Sequence, residues 1–227
     1  MQSSGWFRYL LSFLRPQVVE RLQNDLNPML EVAYENGRLQ LHGATVNYSF
    51  GNLQKVFRSA FEHYRVLQRR PARVLILGFG AGSVAQLLLE RPYDFELTGV
   101  EHDPAVLALG QRYFRLDELL RQLKPELVVE DAVEFVKQES RVWDLVIVDL
   151  FVDDTVPTTA QQPSFLEALR GILADKGLLM FNFIADTREK QLAFDQFREL
   201  FGVFFPAFEV YKVFGNRVLV VDSAALV

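Results

Sequence analysis

Three carboxylates of the chain stand where short apolar segments end. Glu101 closes one such segment, Asp131 follows a second, and Asp149 follows the uninterrupted apolar run 145–148. The carboxyl ends of parallel strands meet at one edge of a sheet, so we expect these side chains to face a common ligand. A carboxylate there can accept hydrogen bonds from hydroxyl or amino groups, and it can take a proton from a reacting group.

A glycine-rich turn precedes the first of these carboxylates. Residues 78–83 read G-F-G-A-G-S and directly follow the apolar segment 73–77. Glycines in such a turn let the backbone approach a bound ligand closely. Glu101 lies 23 residues after Gly78, near the spacing of about 20 residues that is typical of a ribose-binding carboxylate. Together the two features indicate a nucleoside site.

The spacing of the glycines bears on which nucleoside derivative binds. A dinucleotide motif reads G-x-G-x-x-G, whereas this chain has Gly82 followed by Ser83. The G-x-G-x-G form resembles the loop that binds S-adenosylmethionine, which accepts an amino-acid tail instead of a pyrophosphate. An NAD-type site and a turn with no ligand remain as alternatives.

Asp131 and Asp149 differ in how readily a structural role explains them. Asp131 could accept a hydrogen bond from an adenine amino group, or it could only cap the helix that we predict from Ala132. Asp149 ends an apolar strand at the ligand edge of the sheet. We therefore predict that Asp149 is the catalytic residue.

Acidic charge is concentrated in the larger part of the chain. Residues 71–227 hold 24 Asp and Glu against 15 Lys and Arg, whereas residues 1–70 hold 5 against 9. Within residues 101–160 the counts are 13 and 6, and we expect Asp153 and Asp154 to attract a cationic amine substrate. The same charge disfavours nucleic acid as a partner.

The chain has no cysteine and only three histidines, His42, His63 and His102. The lack of cysteine excludes thiol catalysis, thiolate zinc sites and iron–sulfur clusters, and we expect no metal cofactor. The lack of cysteine also agrees with a reducing compartment, so we predict a cytoplasmic protein.

The N-terminal segment Trp6–Leu14 is rich in aromatic and leucine residues. It is too short to cross a bilayer, which takes about 20 apolar residues, and it lacks the flanks of a secretory signal. We predict an amphipathic helix that packs on the body or on a second subunit, and hence a homodimer. A membrane-surface anchor is the alternative.

Residues 1–70 and 71–227 follow different patterns, and we place a domain boundary between them. Residues 29–49 read as strands around the hairpin turn Asn36-Gly37, and residues 52–70 have helical spacing. The first part is thus predicted to hold an N-terminal helix, a β-hairpin segment and a connecting helix.

From residue 71 onward, β-rich segments alternate with helical ones. The predicted pairs are 73–77 with 83–90, 95–101 with 104–114, 126–130 with 132–138, 145–150 with 164–173, and 177–184 with 188–201. Right-handed crossovers join such units into a parallel sheet. A final hairpin with the turn Gly215-Asn216 follows. We predict an α/β, doubly wound Rossmann-like fold with a mostly parallel seven-stranded sheet, as in class I methyltransferases.

Over residues 29–222 the chain resembles the spermidine synthases, or polyamine aminopropyltransferases, within the class I S-adenosylmethionine-dependent methyltransferase superfamily. The resemblance rests on the N-terminal strands and on residues 78–82, 100–104, 113–114, 130–132 and 144–157. It implies that Glu101 holds the ribose, that Asp131 and Ala132 hold the adenine, and that Asp149 holds the reacting amine. The residues predicted to bind the cofactor are Gly78, Phe79, Gly80, Ala81, Gly82, Glu101, His102, Asp131 and Ala132.

The chain departs from this family mainly on the acceptor side. Aminopropyltransferases usually have an aspartate at the position of Ala81, and a D-x-x-D pattern where Val152 stands three residues after Asp149. Their Tyr-His-Glu has no match in residues 57–59, nor is there the usual Gln shortly after Gly43.

The sequence therefore predicts a transferase that binds S-adenosylmethionine or its decarboxylated form. It would pass a methyl or an aminopropyl group to an acceptor that we expect to be a cationic amine. Ala81 favours intact S-adenosylmethionine, because the aspartate that contacts the amine of the decarboxylated form is missing. The alternative is a non-catalytic nucleoside- or polyamine-binding protein that has lost the acceptor site.

Overall fold

A computed structural model describes residues 3–43, 47–49, 52–90, 93–152 and 154–223. The helices are α1 (Ser3–Leu11), α2 (Asn52–His63), α3 (Val66–Arg69), α4 (Ala85–Leu88), α5 (Pro104–Tyr113), α6 (Leu116–Leu123), α7 (Ala132–Gln138), α8 (Pro163–Ile172) and α9 (Arg188–Phe204). The strands are β1 (Gln17–Leu22), β2 (Leu30–Glu35), β3 (Arg38–His42), β4 (Asn47–Ser49), β5 (Arg73–Leu77), β6 (Glu96–Glu101), β7 (Glu126–Val129), β8 (Trp143–Val148), β9 (Leu173–Ile184), β10 (Glu209–Val213) and β11 (Asn216–Asp222).

The larger sheet has seven strands in the order β10-β11-β9-β8-β5-β6-β7. The five strands β9, β8, β5, β6 and β7 pair in parallel, and β11 pairs antiparallel with both β9 and β10. The middle strands β5 and β8 are apolar along nearly their whole length because helices cover both faces of the sheet. The predicted α/β fold is confirmed.

The two faces of this sheet carry separate hydrophobic cores. On one face α2 buries Val56, Phe57 and Ala60 against Val74 and Ile76 of β5. Packing thus joins α2 to the large sheet, although its sequence precedes the boundary that we place at residue 71. That division into two domains stays a prediction.

On the other face α9 lies along β9 through a ladder of phenylalanines. Phe197 and Phe201 lie with their ring centroids 5.0 and 6.1 Å from that of Phe181 on β9, and Phe183 meets Phe194 at 5.5 Å. Burying each such ring stabilises the packing by about 1.5–3 kcal/mol. The ladder fixes the start of α9 beside the carboxyl end of β9.

Several boundaries differ from those expected. Helix α6 was not predicted, and the predicted helix 83–90 is regular only over α4. The last hairpin turns at Phe214-Gly215, one residue earlier than expected, because Val213 pairs with Asn216. The Asn36-Gly37 turn is confirmed, since both residues have positive φ and Glu35 pairs with Arg38.

The N-terminal residues form a four-stranded antiparallel sheet, β1 to β4 in order, with α1 against it. Ser12 joins them, since its carbonyl and hydroxyl oxygens accept from the backbone N–H groups of Asn36 and Gly37 at 3.1 and 2.9 Å. Within the described part of the chain, no helix has the length and apolarity needed to cross a membrane.

Candidate functional site

A cavity of about 620 Å³ opens at the carboxyl ends of the parallel strands. This is the edge at which open α/β sheets bind ligands, and the volume suits a small organic molecule. Eight of the predicted site residues line it: Gly78, Gly80, Glu101, His102, Asp131, Ala132, Asp149 and Asp154. The structure therefore brings together side chains from four strand ends that lie far apart in the sequence.

Glu101, at the end of β6, is buried and fastened to the glycine turn. Its Oε2 accepts from the backbone N–H of Gly80 at 2.8 Å, and its Oε1 accepts from that of Asp103 at 3.0 Å. Burial raises the pKa of Glu101, while these backbone hydrogen bonds oppose the rise. Gly78 has φ +84°, and an added Cβ would lie 2.2 Å from the backbone oxygen of Asp149. The turn can therefore follow this path only with glycine at position 78.

Asp131 caps helix α7, which was the alternative to adenine binding that the sequence left open. Its Oδ1 accepts from the N–H groups of Val133 and Glu134 at 2.7 and 3.2 Å. Its Oδ2 lies 3.6 Å from Nδ1 of His102, a half-exposed side chain on the neighbouring strand end. Capping thus engages one oxygen, and the other faces the cavity-lining imidazole.

Asp149 is buried directly after β8. Its Oδ1 accepts from the side-chain amide of Asn182, a fully buried residue of β9, at 3.0 Å. Burial raises the pKa of Asp149 to about 7; the hydrogen bond from Asn182 opposes the rise, and the charge of Glu101 adds to it. A carboxyl group with this pKa can both take up and release a proton near neutral pH.

Three of the residues of the glycine turn that were predicted to bind the cofactor do not line the cavity. The Phe79 ring packs over Gly99. A Cβ added at Gly99 would lie 2.2 Å from the Phe79 ring. Ala81 is buried against Gly110 of α5. A Cβ added at Gly110 would lie 3.3 Å from the Cβ of Ala81. Gly82 faces Leu116 of α6. Tertiary packing thus turns the side chains of Phe79 and Ala81 into the core, and the prediction that Phe79, Ala81 and Gly82 bind the cofactor stays a prediction.

Asp154 lines the cavity, but it is not an isolated charge. Its Oδ2 lies 2.5 Å from Nζ of Lys190, which also lies 2.9 Å from Asp186. The expected attraction of Asp154 for a cation is thus partly offset by a lysine of the chain itself. Asp153 lies outside the described residues.

The loop between β1 and β2 forms a further wall, which the sequence did not indicate. Residues 25–28 of this loop line the cavity. The amides of Asn24 and Asn27 donate to the carboxylate of Asp103 at 2.5–2.9 Å, and Asp103 also caps α5. The N-terminal sheet is thereby attached beside Glu101.

The cavity is also lined by the loop after β8, by the segment from the end of β9 into α9, and by the turn between β10 and β11. The additional lining residues on this side are Leu150, Phe151, Val152, Pro157, Thr159, Ile184, Asp186, Lys190, Phe214, Gly215 and Asn216. Across the described lining there are seven carboxylates and one lysine, so the cavity favours a cationic ligand.

No group of three His, Asp or Glu in the described parts of the chain is arranged to hold a metal ion, and the absence of a metal cofactor stays a prediction.

The family model for the spermine/spermidine synthase domain matches residues 55–214. The matched range is more than half of the chain. It includes strands β5 to β10 of the large sheet and ends just before β11. The chain belongs to the spermine/spermidine synthase family. The matched range does not include the sheet β1 to β4 or the loop that walls the cavity near Glu101.

Curated relatives include enzymes with two different names. The chain is 27% identical over 153 residues to a polyamine aminopropyltransferase of Vibrio vulnificus (strain CMCP6), an alignment that covers 66% of the chain and 50% of the relative. It is 28% identical over 149 residues to an eEF1A lysine and N-terminal methyltransferase homolog of Drosophila melanogaster, covering 62% of the chain and 21% of the relative. The chain thus spans half or less of the length of these relatives.

Among solved structures, the chain is similar to a spermidine synthase in complex with the transition state analogue AdoDATO. The TM-score is 0.76 at 16% sequence identity, covering 91% of the chain and 74% of the other. Similarity at this identity shows that the two proteins share a fold.

Proposed function

We propose that this protein is a transferase that binds S-adenosylmethionine or its decarboxylated form and transfers a methyl or an aminopropyl group to an amine. The observation that carries the proposal is a single cavity with Glu101 on one side of the glycine turn and a protonatable Asp149 on the other. The family, and the names of relatives that transfer either group, support it.

In this proposal the co-substrate lies across the ends of β5, β6 and β7. Glu101 accepts from the ribose hydroxyls, and the backbone at Gly78 and Gly80 lies against the co-substrate. Asp131 and Ala132 lie beside the adenine, with His102 at the rim. The carboxylate of Glu101 accepts from the backbone N–H groups of Gly80 and Asp103, and its two oxygens have about four acceptor sites in all, which leaves room for a hydroxyl.

The reaction is an in-line displacement at a carbon bonded to a sulfonium. The amine nitrogen forms a bond to that carbon, the carbon–sulfur bond breaks, and its electron pair stays on sulfur as a neutral thioether. The acceptor nitrogen carries a proton that must leave, and the carboxylate of Asp149 accepts it. Alignment of the two reactants supplies most of the remaining acceleration.

The pKa of Asp149 favours an enzyme over the non-catalytic alternative. A binding protein would need only a negative charge here, and a solvated carboxylate would supply it. A buried carboxyl group with a pKa of about 7 is matched instead to proton transfer near neutral pH. Neither the family nor the position of Ala81 selects between the two groups that could be transferred.

A product assay tests the proposal. The protein is incubated with each form of the co-substrate and a panel of monoamines, diamines and polyamines, and products are identified by mass spectrometry. Release of methylthioadenosine with an aminopropylated amine, or of S-adenosylhomocysteine with a methylated amine, is the expected result. Binding of the co-substrate without either product across the panel would favour the non-catalytic alternative.

We also propose that the protein forms a homodimer through its N-terminal part. Trp6, Phe7 and Leu10 of α1 and the following Leu14 are 42–84% exposed, and β1 is an edge strand. An apolar face beside an open strand edge favours association. Light scattering in the micromolar range should give twice the chain mass, and Trp6→Glu should shift it towards the monomer. A monomeric wild-type protein over that range would contradict the proposal.

A further inference from the structure

The acceptor side of the cavity contains a cation that belongs to the chain. In the sheet order, β8 and β9 lie on the opposite side of β5 from β6 and β7. The residues after β8 and β9 therefore form the part of the cavity beyond Asp149, away from Glu101. Lys190, in the first turn of α9, lines this part.

Lys190 is held between two carboxylates from different loops. Its Nζ lies 2.5 Å from Oδ2 of Asp154, in the loop after β8, and 2.9 Å from Oδ1 of Asp186, directly after β9. The Lys190 side chain is 16% exposed, whereas those of Asp154 and Asp186 are 38% and 53% exposed. The lysine side chain is thus more enclosed than those of the two acids that pair with it.

This arrangement occupies the carboxylates that a second substrate cation would need. Burial acts to lower the pKa of Lys190, but the hydrogen bonds to Asp154 and Asp186 outweigh it and raise the pKa above its usual value. The lysine therefore stays charged at neutral pH. A tethered group acts at an effective concentration of about millimolar or more, so a free ammonium that pairs with either acid must compete with Lys190 and is repelled by its positive charge.

We infer that Lys190 takes the place of the far ammonium of a diamine, so that the acceptor of this protein carries one amine and no second cation. The inference rests on the proposed function, because it takes the acceptor to bind beyond Asp149. It assigns Lys190 a role in substrate specificity, acting against diamines and polyamines.

Calorimetric titration with 1,4-diaminobutane and with butylamine tests the inference. The wild-type protein should bind the two with affinities within about twofold of each other. In Lys190→Gln the freed carboxylates can pair with the second ammonium, and affinity for the diamine should rise about tenfold while that for butylamine stays unchanged. Adding Asp154→Asn to Lys190→Gln should remove most of the gain.

Two control variants test whether a change in diamine affinity comes from poor folding or from the loss of one positive charge anywhere on the helix. Lys190→Met should show the same gain if Lys190→Gln folds poorly. Arg188→Gln removes an exposed cation of the same helix that does not line the cavity, and it should leave both affinities unchanged. The inference is overturned if neither Lys190 variant gains affinity for the diamine, or if the wild-type protein already prefers the diamine by tenfold.

The titrations are run with and without methylthioadenosine. Failure of methylthioadenosine to bind would count against the proposed function, whereas the comparison between the two amines would still test Lys190. Binding of methylthioadenosine with no change in diamine preference would reject the role of Lys190 alone.

Discussion

Replacing Asp149 by asparagine is expected to lower turnover by about 10²–10⁴-fold, the usual contribution of a general base. Asparagine keeps the shape of the side chain but cannot accept the proton that leaves the acceptor nitrogen. Affinity for the adenosyl co-substrate should change less than about threefold, because Asp149 lies on the other side of the glycine turn from Glu101. Release of the thioether product measures turnover, and calorimetry measures affinity.

The pH dependence gives a second measure of the same residue. Asp149 acts as a base only when ionised, and burial raises its pKa to about 7. The wild-type rate should therefore increase as the pH rises through about 7, and it should fall about tenfold per pH unit below it. The residual rate of Asp149→Asn should lack this step.

Asp195→Asn is a matched control for the loss of one carboxylate. Asp195 is exposed on α9, pairs with Arg198 and does not line the cavity. This variant should keep both the rate and the pH profile of the wild type. Full turnover by Asp149→Asn with any accepted amine would place the chemistry on another residue.

Replacing Glu101 by alanine is expected to weaken binding of the adenosyl co-substrate by about 1–3 kcal/mol, or roughly 5- to 150-fold. The variant removes the acceptor for the ribose hydroxyls and leaves the N–H groups of Gly80 and Asp103 without their partner. Calorimetry with methylthioadenosine measures the loss, after thermal unfolding has shown that the variant is folded.

Glu130→Ala provides the comparison for this change. Glu130 follows the neighbouring strand, where its N–H donates to the backbone oxygen of Glu101 at 3.1 Å, but its side chain does not line the cavity. Alanine there should leave the dissociation constant unchanged. An unchanged constant in folded Glu101→Ala would reject the ribose assignment.

Local patterns were sufficient to predict the sheet and the carboxylates at its edge. Continuous apolar runs mark strands buried on both faces, and the residue after such a run lies at the ligand edge because the strands are parallel. Asp149 directly follows such a run and was predicted at this edge for that reason. The spacing of Leu116, Leu119, Leu120 and Leu123 would have predicted α6 by the same kind of reasoning.

Features that depend on packing between distant segments could not be predicted in this way. Phe79 and Ala81 were grouped with the glycines around them, yet α5 and Gly99 determine where their side chains point. Asn182 looks like one polar residue in an apolar strand, and only the neighbouring strand shows that it binds Asp149. Lys190 has one partner four residues before it, Asp186, but its other partner, Asp154, belongs to the loop after β8 and gives no local signal.

The most direct test of an adenosyl site at this sheet edge is calorimetric titration of the wild-type protein. S-Adenosylmethionine, its decarboxylated form, methylthioadenosine and NAD are compared under identical conditions. We predict saturable binding of at least one of the first three, weakened in Glu101→Ala, and no comparable binding of NAD. Absence of binding by all three adenosyl compounds, or tighter binding of NAD, would contradict the account.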